Sequence, residues 1–424
     1  MNDRQVEKFY FDYASTTPLD PRVFEAMRPY FMEEFGNASN LYELGHRARQ
    51  AVEKSLDKIV SVLNCKSEEF IFTGSATESD NLAILGVARA NKDSGNKIII
   101  SNVEHKGIIA ACGALKEEGF EIYELKVKEN GLINPEDLKK LLDKETVLVS
   151  VTLADNETGT IQPIKELAEV IKKFRQKNNR PLPYFHTDAV QAALYLDLDV
   201  EKLGIDLMTL SSHKIYGPKG IAGLYIRKGT DIKPIIFGGG VRNKLRSGTE
   251  NVPGIIGFAE ALGIASKEKD KESERIKKLR DKLQKGILKS IPKVVVNSHP
   301  TRRLPNFINV SILDIEGEAL LLHLSEKGIY VNTGSACNAE KLEPSHILKA
   351  LGLPYEYIHG SIRFTLGKST TEESINYVLK HLPEIVYKLR RISPLNLDIG
   401  NKKIISQPRA FIGGKTPHFL RGKI

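Results

Sequence analysis

Through the first 230 residues, short apolar or β-branched runs alternate with amphipathic stretches. The runs are Glu69–Thr73, Lys97–Ser101, Glu121–Leu125, Thr146–Thr152, Pro183–Thr187, Asp206–Ser211 and Ala222–Arg227. Between several of them lie helix-like segments such as Ile164–Phe174, which sets Ile164, Leu167, Val170, Ile171 and Phe174 on one face at 3.6-residue spacing. Nearly continuous apolar strands separated by helices predict an α/β fold built on a mostly parallel sheet of seven strands, covered on both faces. Ligands of such sheets sit at the carboxyl ends of the strands, so the residues just after each run are where chemistry is expected.

After Gly238–Gly240 the pattern changes. A long charged helix is expected from about Val252 to Ile291, then strands near Lys293–Asn297 and Phe307–Leu313, a helix at Gly317–Lys327, and strands at Gly328–Val331 and Ser361–Leu366. The last helix opens on Thr370 and Glu373, spaced as a capping box, and Pro383 is expected to kink it. This predicts a large domain over 1–254, whose first 30 residues are expected to pack with a smaller α+β domain over 255–392, and a tail over 393–424.

The 424 residues, 41% hydrophobic and 27% charged, describe an ordinary globular protein. Cys65, Cys112 and Cys337 are too few and too far apart for a disulfide framework or a four-ligand zinc site, so no metal is expected and a cytoplasmic setting is. No window approaches 18 apolar residues, which argues against a membrane span. The net charge of +9 suggests nucleic acid only until it is located. From Arg390 onward eight Lys/Arg face one acid, Asp398, so the tail carries +7 and the remaining chain about +2.

Five of the strand ends carry ligand-capable residues. Ser75, Ala76 and Thr77 precede a helix expected at Ser79–Ala90, and free amides at such a start can hold a phosphate. His105 follows the second run, Asn156 and Glu157 the run ending at Thr152, and Asp188 with Gln191 the run ending at Thr187. Ser211, Ser212, His213 and Lys214 follow the sixth. Singly, each has a plainer explanation: a helix cap, a surface histidine, a solvated lysine. Together they match what pyridoxal phosphate requires, namely a lysine for its aldehyde, an acid for its ring nitrogen and a helix start for its phosphate. Cys337 adds a thiol in a run of small residues, Thr333–Asn338, a setting that suits a travelling nucleophile better than a packed core.

Eight motifs carry a resemblance over about Tyr10–Leu395: FDYASTTPLDPRV at Phe11–Val23, FTGSATESDN at Phe72–Asn81, EHK at Glu104–Lys106, NETGTIQPI at Asn156–Ile164, HKIYGPKGI at His213–Ile221, RSGTENVPG at Arg246–Gly254, TGSAC with LEPSHILKALG around Cys337, and SIRFTLGKSTTEE at Ser361–Glu373. The chain resembles the cysteine desulfurases of the NifS/IscS type, which are class-V, fold-type-I enzymes dependent on pyridoxal phosphate. The resemblance implies that Lys214 bears the cofactor, Asp188 pairs with its ring nitrogen and His105 stacks on the ring and exchanges protons. It gives the phosphate to Ala76, Thr77, Ser211 and His213, with Thr249 supplied by the second subunit of a homodimer, and the phenolic oxygen to Gln191. Asn156 and Arg363 would hold the L-cysteine carboxylate, and Cys337 would accept sulfur for delivery to an acceptor protein, such as an iron–sulfur scaffold or a tRNA-thiolation enzyme.

The chain departs from the family at Ser212, at Val241–Lys244, at Asn338–Lys341 and after Leu395. A selenocysteine lyase or another class-V enzyme is the nearest alternative. A non-catalytic sulfur-relay partner that contacts tRNA through the basic tail is an alternative of another class, opposed by the intact Lys214, Asp188, His105 and Cys337. A merely solvated tail predicts that deleting residues 396–424 leaves salt-dependent tRNA binding unchanged; a shallower salt slope after deletion would assign the tail to RNA.

Overall fold

The computed structural model describes residues 8–239, 244–333, 344–394 and 397. Its strands, in chain order, are β1 (Phe9–Tyr10), β2 (Phe70–Thr73), β3 (Lys97–Ser101), β4 (Glu121–Leu125), β5 (Thr146–Ser150), β6 (Tyr184–Asp188), β7 (Leu207–Ser211), β8 (Ala222–Ile226), β9 (Val294–Val296), β10 (Phe307–Ile312), β11 (Ile329–Tyr330) and β12 (Ser361–Thr365). The seven runs expected in the first 230 residues form one sheet in the order β2-β8-β7-β6-β5-β3-β4. Pairing is parallel from β7 to β4, and β8 runs antiparallel to both of its neighbours.

Alternation along the strands supplies both faces. Ile99, Val149 and Phe185 pack on one side with the helices Glu43–Leu63 and Ile164–Asn178. Ile98, Ile100 and Leu148 pack on the other with Leu82, Ile84 and the helix Lys106–Glu117. The helix at the end of β2 begins at Ala76, three residues before the expected Ser79, because the Ser75 hydroxyl caps it by accepting from the Glu78 amide at 3.1 Å. That shift puts the Ala76 and Thr77 amides in the first turn, where no earlier carbonyl can accept them.

A second core lies around the antiparallel sheet β12-β10-β9 and the final helix, Glu372–Ile392. That helix is capped by Thr371 with Ser374, one residue beyond the expected pair, since the Thr370 hydroxyl is taken by the Gly367 amide. It continues through Pro383. The helix Val252–Ser290 serves both cores, giving Val252, Ile255 and Phe258 to the first and Ile276, Leu283 and Ile287 to the second. The N-terminal segment crosses between them: β1 pairs in parallel with β11, and Phe11 is buried in the second core. None of the helices among the described residues is long and apolar enough to cross a membrane.

One glycine fixes the approach of the two parts. Gly159 has φ +70°, and a Cβ there would lie 2.5 Å from Cγ of Phe307 on β10. Gly159→Ala should therefore destabilise the protein by about 1–3 kcal/mol, combining left-handed strain with a clash in a packed site; a urea midpoint within error of the parent would contradict this.

Candidate active site

The loops after β2, β3, β5, β6 and β7 surround a cavity of about 360 Å³. The structure brings nine of the expected residues to its wall: Ala76, Thr77, His105, Asn156, Asp188, Gln191, His213, Lys214 and Arg363. Ser211 is buried at the end of β7 and does not line the cavity. Thr249 lies exposed in a separate recess of about 90 Å³ with Gly74 and Arg246. Cys337 falls outside the described residues.

Each wall residue is held by local chemistry. Lys214 follows β7, and its Nζ donates to the carbonyls of Ala14 at 2.5 Å and Ser15 at 2.7 Å. Gln191 Nε2 donates to the same Ala14 carbonyl at 3.0 Å. His213 Nδ1 lies 3.0 Å from Thr16 Oγ1; burial, then Lys214 and Lys219, lower its pKa to about 4, so it is neutral at physiological pH. Asp188 ends β6 and accepts from the Val190 amide at 2.9 Å. Burial raises its pKa, while His105, that hydrogen bond and Lys214 pull it back.

His105 is the N-cap of the helix Lys106–Glu117. Its Nδ1 accepts from the Gly107 amide at 3.1 Å, which leaves Nε2 as the protonated nitrogen of the neutral ring. Asn156 is presented by a turn wound on Asp155, whose carboxylate accepts from the Glu157, Thr158 and Thr160 amides at 3.0, 2.6 and 3.0 Å. Arg363, on β12, sends Nη2 to Asp12 Oδ1 at 2.6 Å and Ser15 Oγ at 2.9 Å, and Nη1 to the Asn156 carbonyl. Its Nε is buried and, among the described residues, has no hydrogen-bond partner.

Several wall residues were not anticipated. Asn332 shares Asp12 and Ser15 with Arg363, at 3.1 Å to each. His346 bonds the Glu104 carbonyl at 2.9 Å, and the Ser345 hydroxyl donates to Glu157 at 2.5 Å. Their signal was present in the quoted motifs, but a motif does not say which of its letters face a cavity. Cys65 and Cys112 are half-buried and buried, and desolvation pushes both thiols up to about 12.

A lysine amine, a buried carboxyl, a capping imidazole and a helix start, gathered at the carboxyl edge of a mostly parallel sheet, define a fold-type-I enzyme dependent on pyridoxal phosphate. The cavity fits that group: it offers amides without helical partners for a phosphate, a buried acid for a ring nitrogen and an amine for an aldehyde. The Aminotransferase class-V family matches residues 9–378. "Cysteine desulfurase IscS" of Dictyoglomus turgidum is 49% identical over 91% of this chain and 96% of its own length, and that of Methanosarcina thermophila is 48% identical over 91% and 94%. A solved NifS-like protein superposes with a TM-score of 0.84 at 37% identity, covering 90% of this chain and all of the other. The chain belongs to the class-V aminotransferase family, among the cysteine desulfurases of NifS/IscS type.

The cavity also makes a pH prediction. Burial lifts the Glu157 carboxyl from 4.5 to about 7 against the opposing pull of Ser345 and Arg363, and lifts Glu104 to about 8. An acid with a raised folded pKa stabilises the fold below its unfolded pKa and loses that contribution as pH rises through the folded one. The thermal midpoint should therefore fall between about pH 5 and 8, and less steeply in Glu157→Gln, which keeps an oxygen for the Ser345 hydroxyl. Superimposable profiles would rule out an uncharged Glu157.

Proposed function

We propose that the chain converts L-cysteine to L-alanine and takes the sulfur as a persulfide on Cys337, with pyridoxal phosphate held on Lys214. The convergence of Lys214, Asp188, His105 and Arg363 on one cavity carries this assignment. When bound, the cofactor supplies an aldehyde for the substrate amine and an electron sink that acidifies the substrate Cα–H.

The chain's own residues divide the remaining work. Asp188 would pair with the ring nitrogen, and His105 would hold the ring and exchange protons with the substrate. The Ala76 and Thr77 amides, with His213, would hold the phosphate, with Ser211 buried behind them, and Gln191 would hold the phenolic oxygen. Arg363 and Asn156 hold the substrate carboxylate, for which the unpartnered Arg363 Nε is a ready donor. The Lys214 amine, which would hold the cofactor aldehyde, would serve as the base for the Cα proton. The Cys337 thiolate attacks the substrate sulfur; the carbon–sulfur bond breaks, a sulfur–sulfur bond forms, and Cα and Cβ are reprotonated to give L-alanine.

In this proposal 1–254 binds the cofactor, 255–392 carries Cys337, and 393–424 is a basic tail, with the helix Val252–Ser290 bracing the first two. The protein acts as a cytoplasmic homodimer whose partner subunit supplies Thr249. Two features support that assembly: Thr249 lies outside its own cavity, and Phe31, Met32, Phe35 and Leu41 form an exposed apolar stretch. Arg246 is tied to Glu78 at 3.0 Å and Glu78 to the Gly74 amide at 2.8 Å, which links the Thr249 segment to the phosphate turn. The persulfide is passed to an acceptor such as an iron–sulfur scaffold or a tRNA-thiolation enzyme.

Cys337→Ser should keep the visible absorbance of bound cofactor but release neither alanine nor sulfide from L-cysteine, whereas Lys214→Ala should lose the covalently held cofactor. Sulfide production retained by Cys337→Ser would sink the assignment of the thiol.

A further inference from the structure

One carboxyl of the cavity has no part in the reaction above. Asp80 stands on the first turns after Ser75, is only 1% exposed, and lines the same cavity as Asp188 and Lys214. Among the described residues its oxygens make no well-formed hydrogen bond, the Thr209 hydroxyl being a loose contact only. A carboxyl so placed must be neutral or have a cation beside it.

The nearest basic group cannot serve as that cation. His186 Nε2 lies 3.8 Å from Asp80 Oδ1, but the ring is buried between Ser150 and Thr209, with Nδ1 2.9 Å from Ser150 Oγ and Nε2 3.0 Å from Thr209 Oγ1. Burial lowers its pKa to about 3. The charges that act on Asp80 most are those of acids: Asp188, two residues along β6 from His186 and on the same face, and the buried Glu104, while Lys214 and His105 stand elsewhere on the cavity wall. Burial, with Asp188 next, pushes the Asp80 pKa well up, and the Thr209 hydroxyl offsets only part of this. Asp80 therefore holds its proton, and a buried O–H donor needs an acceptor.

We propose that Asp80 is a positioning residue for the cofactor: a neutral carboxylic acid that donates its O–H toward the Asp188 carboxylate and keeps Asp188 ionised against the ring nitrogen. Two adjacent buried carboxyls hold one negative charge more readily than two, and a carboxylate that accepts a hydrogen bond keeps its charge in a setting that otherwise favours protonation. Asp188 has room for the donor, since among the described residues its carboxylate accepts one hydrogen bond, from the Val190 amide. The proposal rests on Asp188 being the partner of the ring nitrogen.

The test uses holoenzyme prepared with ring-¹⁵N pyridoxal phosphate, reading the ¹⁵N shift and the cofactor dissociation constant. Asp80→Asn retains an N–H donor of the same shape and should leave the ring nitrogen protonated and the affinity within about threefold. Asp80→Ala, and Asp80→Leu should the alanine variant not fold, removes the donor. It should move the ¹⁵N resonance toward the unprotonated position and weaken cofactor binding on the order of tenfold, as expected for losing a hydrogen bond to a charged group. Asp188→Asn separates the two ideas. If it leaves the ring nitrogen protonated, the assignment of Asp188 fails. If it deprotonates the nitrogen while the non-donor Asp80 variants do not, the role of Asp80 is overturned and that of Asp188 stands.

Discussion

A carboxyl buried at the end of β6 sets the terms for the rest of the molecule. Asp188 is taken out of water by the sheet and its covering helices, and burial disfavours its charge unless cations stand near. The opposing pull comes from two strand-end loops, His105 after β3 and Lys214 after β7. Lys214 must in turn be oriented, and the Ala14 and Ser15 carbonyls do this. Those carbonyls belong to a segment that continues from β1, which is stitched to β11 in the second core. The electrostatic setting of one buried carboxyl thus depends, through Lys214 and the N-terminal segment, on the small sheet of β1 and β11 as well as on the large one.

The same segment fixes the opposite wall. Asp12 and Ser15 bind the Arg363 guanidinium and the Asn332 amide together, so β12, the end of β11 and the N-terminal segment share one polar junction. A buried ion pair adds little net stability but is costly to break on one side only. Its effect here is geometric: it holds a guanidinium at a cavity wall with one N–H donor still unmet. The Asp155 turn and the Ser75 and His105 caps act likewise, each satisfying local backbone amides while presenting a neighbouring side chain to the cavity.

Local signals in the chain are strong where one residue's neighbours decide its state. The seven runs are apolar enough to be strands in any context, and the stretch from Ile164 repeats at helical spacing. Signals weaken at caps, where adjacent hydroxyls compete. Ser75 takes the cap and draws the helix back to Ala76; Thr371 takes it from Thr370, whose hydroxyl meets the Gly367 amide instead. Asp12, Glu157 and His346 stood inside quoted motifs, yet their importance depends on partners far along the chain: Arg363, Ser345 and the Glu104 carbonyl.

The sequence by itself determined the elements and their chemistry: strands with polar residues at their ends, a lysine beside a histidine, an aspartate before them, and eight ordered motifs. Only the tertiary structure decided that β6 lies between β5 and β7, that β1 pairs with β11 outside the large sheet, and that Asp80 is buried at the wall of the cavity that holds Asp188. The physical reason is range. Periodicity and capping are settled within a few residues, whereas strand order, burial and the charge that a carboxyl can bear are settled by segments that meet only when the chain has folded. Lys214 illustrates the division: its amine was legible in the sequence, and its surroundings, which make it something other than a solvated charge, were not.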